Sequence, residues 1–386
     1  MYRNFRRKKI IIKILAVIIS ASLTVSVVSA IVKKNFAEIR KLLLGECSDF
    51  AASSETCVSN LLRLKISALN LQYNKIYVAD TEELRNALKN AMAGDEIILT
   101  GTDYGDDVTG SKGSSFMSSA DGTAEKNIVI RGADPENPPT LHGKALANGV
   151  VLYITGDYWQ IKNIRVENAQ KGILLDNSNY SVIEDCEIFN TGQEAVHFRD
   201  NSSYCTIKNS VIHDTGKVNA GYGEGVYIGT YYEDTGKYKD SGYGENCHYN
   251  TVSGCKFYNV TAEHVDIKEQ TVGTVIENCY MDGTGMTGAN YADSFIDAQG
   301  NDAVIRNNEC HRNNNSYITD AIQVHVIIDG WGKNNSFYGN TLYLDDETSC
   351  YVAESWGETA FYGENTRIPE SQNMMYDGEF KPLSDN

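Results

Sequence analysis

Proline is scarce in this chain, five in 386 residues. Proline cannot donate to a central sheet ladder, so its rarity leaves long stretches free to pair as strands. The nine cysteines are odd in number and lack the short paired spacings that hold zinc, which excludes a zinc-stapled domain. Basic residues are scarce once the first 43 positions are set aside. Those positions carry ten Lys/Arg and one acid, a surplus of nine; with a net charge of −17 overall, the remainder carries −26. A body that acidic repels phosphate backbones, so nucleic acid is excluded as the main partner. After residue 93 no stretch shows the apolar period of an amphipathic helix, which argues against an α/β array.

The basic surplus belongs to a targeting segment. Arg3, Arg6, Arg7, Lys8 and Lys9 precede an apolar stretch over residues 10–32, and Val28-Ser29-Ala30 offers small residues for cleavage. Residues 1–30 read as a signal peptide; the alternative is an uncleaved anchor, because residues 14–32 are just long enough to span a bilayer. Either way the body is expected outside the cytoplasm, secreted or membrane-anchored. Residues 31–73 read as a helical linker, and Cys47 and Cys57 within it are candidates to pair after export.

From residue 74 the pattern is strand, helix, strand. A strand is expected over 76–79 and a helix over 80–93, with Asp80 as N-cap and Leu84, Ala87, Leu88 and Ala91 on one face. Repeats follow, beginning GVVLYITG, GILLDNSN, AVHFRDNS, GVYIGTYY, HVDIKEQT, FIDAQGND, IQVHVIID and YVAESWGE, spaced about 23 to 39 residues apart. Each is trailed by a second short alternating strand such as CTIKNSVIHD. Short strands at this spacing with no helix between them predict an all-β solenoid. Asn at the turns fits, since it tolerates the left-handed conformation. Cys186, Cys255, Cys279 and Cys310, with Ser210, read as one interior column of buried thiols. Cys205 and Cys247, in adjacent coils outside it, are candidates for a disulfide.

These segments, with the opening VADTEELRNALKNAMAGDEIILTGTDY and KNIVIRGADPENPPTLHG, resemble right-handed parallel β-helix proteins of the pectate-lyase-like superfamily. The resemblance covers roughly residues 74–365 and implies a β-helix over 74–366 with an N-terminal capping helix, then a polar tail over 367–386. That scaffold hosts lyases, hydrolases, epimerases and adhesins, so it fixes no activity by itself.

Chemistry is expected on one outward face. Strand alternation turns His197, Arg199, Tyr227, Asp266, Lys268, Asp297, Gln323 and His325 outward. One acid precedes each of five successive strands: Glu194, Glu224, Glu263, Asp293 and Asp320. Carboxylates stacked about 4.8 Å apart repel unless a cation offsets them. Ca²⁺, which takes oxygen ligands, is the simplest offset, centred on Glu224, Glu263 and Asp293.

The stretch A-E-H-V-D-I-K at residues 262–268 resembles the A-D-G-F-x-x-K stretch of family 9 polysaccharide lyases, and chondroitinase-B-type and alginate lyases of the same fold place an acid five residues before their lysine, as Glu263 stands here. The resemblance implies a Ca²⁺-dependent lyase for an acidic, pectate-like polysaccharide, with Lys268 as base and Asp266 beside it. His197, Arg199, Tyr227, Asp297, Gln323 and His325 would contact substrate. Glu263 stands where that family has Asp, His264 where it has Gly, and no Arg follows on the next coil. A non-catalytic glycan-binding or adhesion protein is the second reading. A glycoside hydrolase using Asp266 and Asp297 is the third. A monomer is expected.

Overall fold

The computed structural model describes residues 73–105, 113–232 and 247–383. The expected targeting segment, Cys47 and Cys57 lie outside them. Among the described residues no helix is long and apolar enough to cross a membrane.

Asn74–Val78 pairs in parallel with Asp95–Leu99, and between them runs the helix Thr81–Lys89. Its start is a reciprocal cap: Glu83 N–H donates to Asp80 Oδ1 at 2.9 Å, and Ala79 N–H donates to Glu83 Oε2 at 2.7 Å. Leu84, Ala87 and Leu88 are buried and close the first coil. Full burial of a leucine contributes roughly 1.5–3 kcal/mol.

Beyond the cap the chain winds through three ladders of parallel strands. One full coil consists of Val196–Arg199, Thr206–Lys208 and Val211–His213; the next begins at Val226–Ile228. The predicted parallel β-helix is therefore the observed fold. Period-two alternation packs the central column of the second ladder into the interior: Ile161, Ile183, Ile207, Val252, Ile276, Ile305 and Phe337 are all fully buried.

The corners explain the abundance of asparagine. Asn163, Asp185, Asn209, Asn278 and Asn307 hold φ between 49° and 57° between the second and third ladders, with Gly254 and Gly339 in the same column. The corner after the first ladder uses tyrosine instead. Tyr158, Tyr180, Tyr204 and Tyr249 hold φ of 55–58°, a conformation that costs a bulky residue energy. Their rings stack in sequence at 4.8, 4.9 and 5.1 Å, which offsets that cost. The stack stops at Gly273, where a Cβ would lie 2.6 Å from the Tyr249 ring.

The interior cysteine column is real but one member differs. Cys186, Ser210, Cys255 and Cys279 share it, and the next position is Asn308, not Cys310. Cys310 lies two residues on, opposite Met281 and Leu342 in the third ladder. From Asn308 the column becomes a buried amide ladder. Cys279 N–H donates to Asn308 Oδ1 at 3.0 Å, Asn308 N–H to Asn340 Oδ1 at 2.9 Å, and Asn340 N–H to Asn365 Oδ1 at 3.1 Å. The expected Cys205–Cys247 disulfide is absent: both are buried thiols. Each thiol donates to a carbonyl of the preceding coil instead, Cys205 to Ser178 at 2.9 Å and Cys247 to Phe198 at 3.4 Å.

The ladders also run past the expected end. Thr366–Ile368 extends the third ladder, and Tyr376–Pro382 pairs along Tyr351–Tyr362, a long strand that serves two ladders. The end of the chain is thus a closing layer through Pro382, not a polar tail from residue 367.

Candidate active site

The first ladder carries three outward columns, fixed by its register. The first runs Lys171, Glu194, Glu224, Glu263, Ser294, Asp320. The second runs Tyr153, Leu174, His197, Tyr227, Asp266, Asp297, Gln323, Glu354. The third runs Asp176, Arg199, Gly229, Lys268, Gln299, His325, Trp356. All the outward residues predicted from alternation lie where expected. The acidic column is off by one residue at Asp293: Val265 pairs with Ile296, so Ser294 stands opposite Glu263.

Glu224, Glu263 and Asp266 come together. Each offers a carboxylate oxygen, these oxygens lie within 4.8 Å of one another, and all three residues are buried. Asp293 is only half-buried and stands apart from them, nearer Asp297, Asp320 and Glu354. Burial and neighbouring acids push Glu263 far above the usual carboxylate range, burial raises Glu224, and Asp266 is pushed up to about 7. Asp266 Oδ1 has no hydrogen-bond partner. Three crowded, buried carboxylates with an orphaned oxygen suit a hard cation with oxygen ligands, and Ca²⁺ fits this donor set.

Lys268 adjoins the triad. Its ammonium lies 2.8 Å from Asp266 Oδ2, 3.5 Å from Gln299 Oε1 and 5.3 Å above the Tyr227 ring. The side chains of Lys268 and Asp266 are 13% and 4% exposed. Burial alone would lower Lys268, but Asp266, Tyr227 and Asp297 outweigh it and hold the group well above its ordinary range. Burial also pushes the Tyr227 hydroxyl far up. Gly229, with φ +95°, leaves room beside Lys268: a Cβ there would meet Lys268 Cβ at 3.1 Å. His264 plays no part in the site. It is fully buried against Phe257 and Phe295, and its Nε2 donates to Asp282 O.

A cleft of about 1330 Å³ opens on the capping-helix side of Lys268. Its walls come from five successive coils and end at Tyr227, Thr230 and Tyr231, one coil short of Lys268. His197 and Arg199 line it. His197 bonds Gly229 O at 2.8 Å and Glu194 at 2.9 Å, and burial with Lys171 and Arg199 nearby keeps it well below its usual range. Asp297, Gln323 and His325 lie on the other side of Lys268. There Asp297 Oδ2 accepts from Gln299 at 2.7 Å and bonds His325 at 3.2 Å.

Sequence reasoning did not single out Tyr153, Lys171 or Asp176. Asp176 and Arg199 stand one 23-residue coil step apart, as do Lys171 and Glu194, and that period was the signal available; Tyr153 stands opposite Leu174 and gave no such signal.

Comparison with known proteins agrees with this fold. The family described as right-handed beta helix region matches residues 148–342. An alginate lyase from Paenibacillus sp. str. FPU-7 is 44% identical over 80% of this chain and 99% of that one, with a TM-score of 0.74. Pectate lyase Pel9A, 16% identical over 80% of each chain (TM-score 0.51), and ORF18 of Geobacillus virus E2, 13% identical over 87% of this chain and 66% of that one (TM-score 0.51), share the fold. No curated protein matches the chain. The chain belongs to the right-handed β-helix family. Within it, it is a polysaccharide lyase.

Proposed function

We propose that the protein is an exported, Ca²⁺-dependent lyase that cuts a polyuronate of the alginate type by β-elimination, with Lys268 moving a proton. The observation that carries this is Lys268 anchored beside three crowded, buried carboxylates at the end of a long cleft. The alginate lyase that is 44% identical over 80% of this chain moves the expected polymer from pectate-like to alginate-like.

Elimination removes the C5 proton of a uronate, forms a C4–C5 double bond and expels the C4 oxygen, which takes up a proton. Glu224, Glu263 and Asp266 would hold the Ca²⁺. When bound, Ca²⁺ neutralises the substrate carboxylate and so acidifies the C5 proton. Asp266, Gln299 and Tyr227 fix the Lys268 ammonium in place. The resemblance implies Lys268 as base; the acids around it hold it protonated, and a cation on Glu224, Glu263 and Asp266 would offset them and lower it toward the range a base needs. A lysine that takes the C5 proton holds it as an ammonium, from which the C4 oxygen can be protonated, so the elimination balances with this one group. Export rests on residues 1–30, or on residues 10–32 as an anchor.

The test is ultraviolet absorbance of unsaturated product from alginate, polygalacturonate and chondroitin, with Ca²⁺ or EDTA. A Ca²⁺-dependent rise on alginate that Lys268→Ala abolishes is expected. A flat trace on every uronan, or full turnover by Lys268→Ala, overturns the reading. A uronate with an activated C4 leaving group separates the two roles of Lys268. It restores turnover to Lys268→Ala if the lysine is the donor, and does not if it is the base.

A further inference from the structure

Residues 229–232 leave the strand Val226–Ile228, one coil before Lys268, and carry Thr230 and Tyr231 to the end of the cleft wall. They are held from both sides. From the preceding coil, Gly229 N–H donates to Phe198 O at 2.8 Å, and His197 Nε2 donates to Gly229 O at 2.8 Å. A carbonyl only accepts, so this bond places a proton on Nε2. Glu194 Oε1 lies 2.9 Å from Nδ1 and sets the plane of the ring, which meets the Tyr227 ring edge-on at 4.7 Å. From the following coil, Glu269 Oε1 accepts the Tyr232 N–H at 2.6 Å. His197 is 5% exposed and Glu269 is fully buried, and Glu269 Oε2 has no hydrogen-bond partner.

Burying a carboxyl costs free energy that an apolar side chain of the same size would not, and what this one achieves is a fixed Tyr232 amide. His197 was expected to contact substrate. Both its nitrogens are already bonded, so it offers no free polar atom to the cleft it borders. It also lies two coils from Lys268, roughly 10 Å along the axis, out of reach of the atoms that Lys268 serves. Resting on the reading that Lys268 moves the proton, we infer that His197 and Glu269 are positioning residues. They clamp residues 229–232 from the two neighbouring coils and so hold Gly229 and Tyr227 against Lys268. The Tyr227 ring lies 5.3 Å from the Lys268 ammonium, and a Cβ on Gly229 would stand 3.1 Å from Lys268 Cβ. A shift of this segment therefore moves the surroundings of the lysine on two sides. Misplacing a reacting group by about 1 Å lowers the rate on the order of a hundredfold.

The experiment pairs each variant that breaks a tether with one that keeps it. His197→Ala and Glu269→Met remove the two bonds. His197→Gln keeps a donor near the place of Nε2, and Glu269→Gln keeps the Oε1 acceptor. Steady-state turnover of alginate by the full chain is measured with Ca²⁺, beside urea denaturation. His197→Ala and Glu269→Met are expected to lower kcat about a hundredfold with KM unchanged, and the two glutamine variants to recover about tenfold of that loss. A raised KM with the parental kcat makes His197 a substrate contact and overturns the inference. Parental kcat per folded molecule in either bond-breaking variant does the same, as do glutamine variants no better than Ala and Met, which leave only packing. Where a variant does not fold, nitrogen NMR of the histidine rings in the parent decides. A protonated Nε2 on His197 is expected, and a bare one overturns the tether. Full turnover by Lys268→Ala refutes the reading of Lys268 on which the clamp rests, whereas an inactive Lys268→Ala beside a fully active His197→Ala refutes the clamp alone.

Discussion

Replacing Lys268 with methionine tests the electrostatics of the site through stability. Lys268 and Asp266 form a buried pair at 2.8 Å, and Asp266 Oδ1 has no other partner. Removing one member of such a pair strands the other, at a cost of about 3–5 kcal/mol. Here the cost depends on pH. Asp266 is already pushed up to about 7 with Lys268 present, and without that ammonium it rises further. A carboxyl whose folded pKa lies above its unfolded value destabilises the fold as pH rises, and the penalty disappears once it is protonated. Lys268→Met is therefore expected to lose several kcal/mol at pH 8.5 and much less at pH 5.5. In the parent, Lys268 is raised above its unfolded value, so its contribution is fully present at neutral pH and is lost only as pH climbs through the folded pKa. Urea denaturation at the two pH values, without added divalent cation, measures the difference. Adding Asp266→Asn to Lys268→Met should flatten the pH dependence. A loss equal at both pH values, or one unaffected by Asp266→Asn, refutes the reasoning.

Asn308→Ala cuts the buried amide ladder and leaves the Cys279 N–H without its acceptor. A loss of about 1–3 kcal/mol is expected, read as a lower urea midpoint with an unchanged slope. Gly229→Ala places a methyl 3.1 Å from Lys268 Cβ and 2.8 Å from Thr271 in a backbone of φ +95°. Turnover should fall by more than tenfold while the melting temperature drops by a few degrees. A variant that melts like the parent and turns over at the parent rate removes Gly229 from the site.

The coil order and the outward residues were legible because alternation at period two is rigid: one hydrophobic position in each strand fixes the rest. His264 opposite Phe295 and Val265 opposite Ile296 lie in the register that the repeats imply. What precedes each strand is less constrained. The chain reaches Ile296 through residues 289–291, where Asn290 and Tyr291 take left-handed conformations, so Ser294 and not Asp293 continues the acidic column. The swap of Asn308 for Cys310 has a similar origin. Both residues sit at alternate positions of N-N-E-C, and they are distinguished by the hydrogen bond from Cys279 N–H to Asn308 and by the pairing of Cys310 with Met281, neither of which the pattern encodes. The triad itself was half visible. Glu224 and Glu263 came from their column, whereas Asp266 joins from the neighbouring column, a contact across the face that a one-dimensional pattern does not encode.

The seven described cysteines are all buried thiols spread along the solenoid from Cys186 to Cys350. Burial raises Cys186 and Cys205 to about 12, so neither reacts as a thiolate while its coil is closed. The molecule therefore carries its own set of unravelling markers. Alkylation under mild denaturation, followed by peptide mapping, would date the opening of each coil in turn. It would tell whether the stack frays from the closing strands at its C-terminal end or parts near the cleft. Because no bond among these residues needs an oxidant, the same coils should assemble equally well in a reducing compartment, ahead of any transport step.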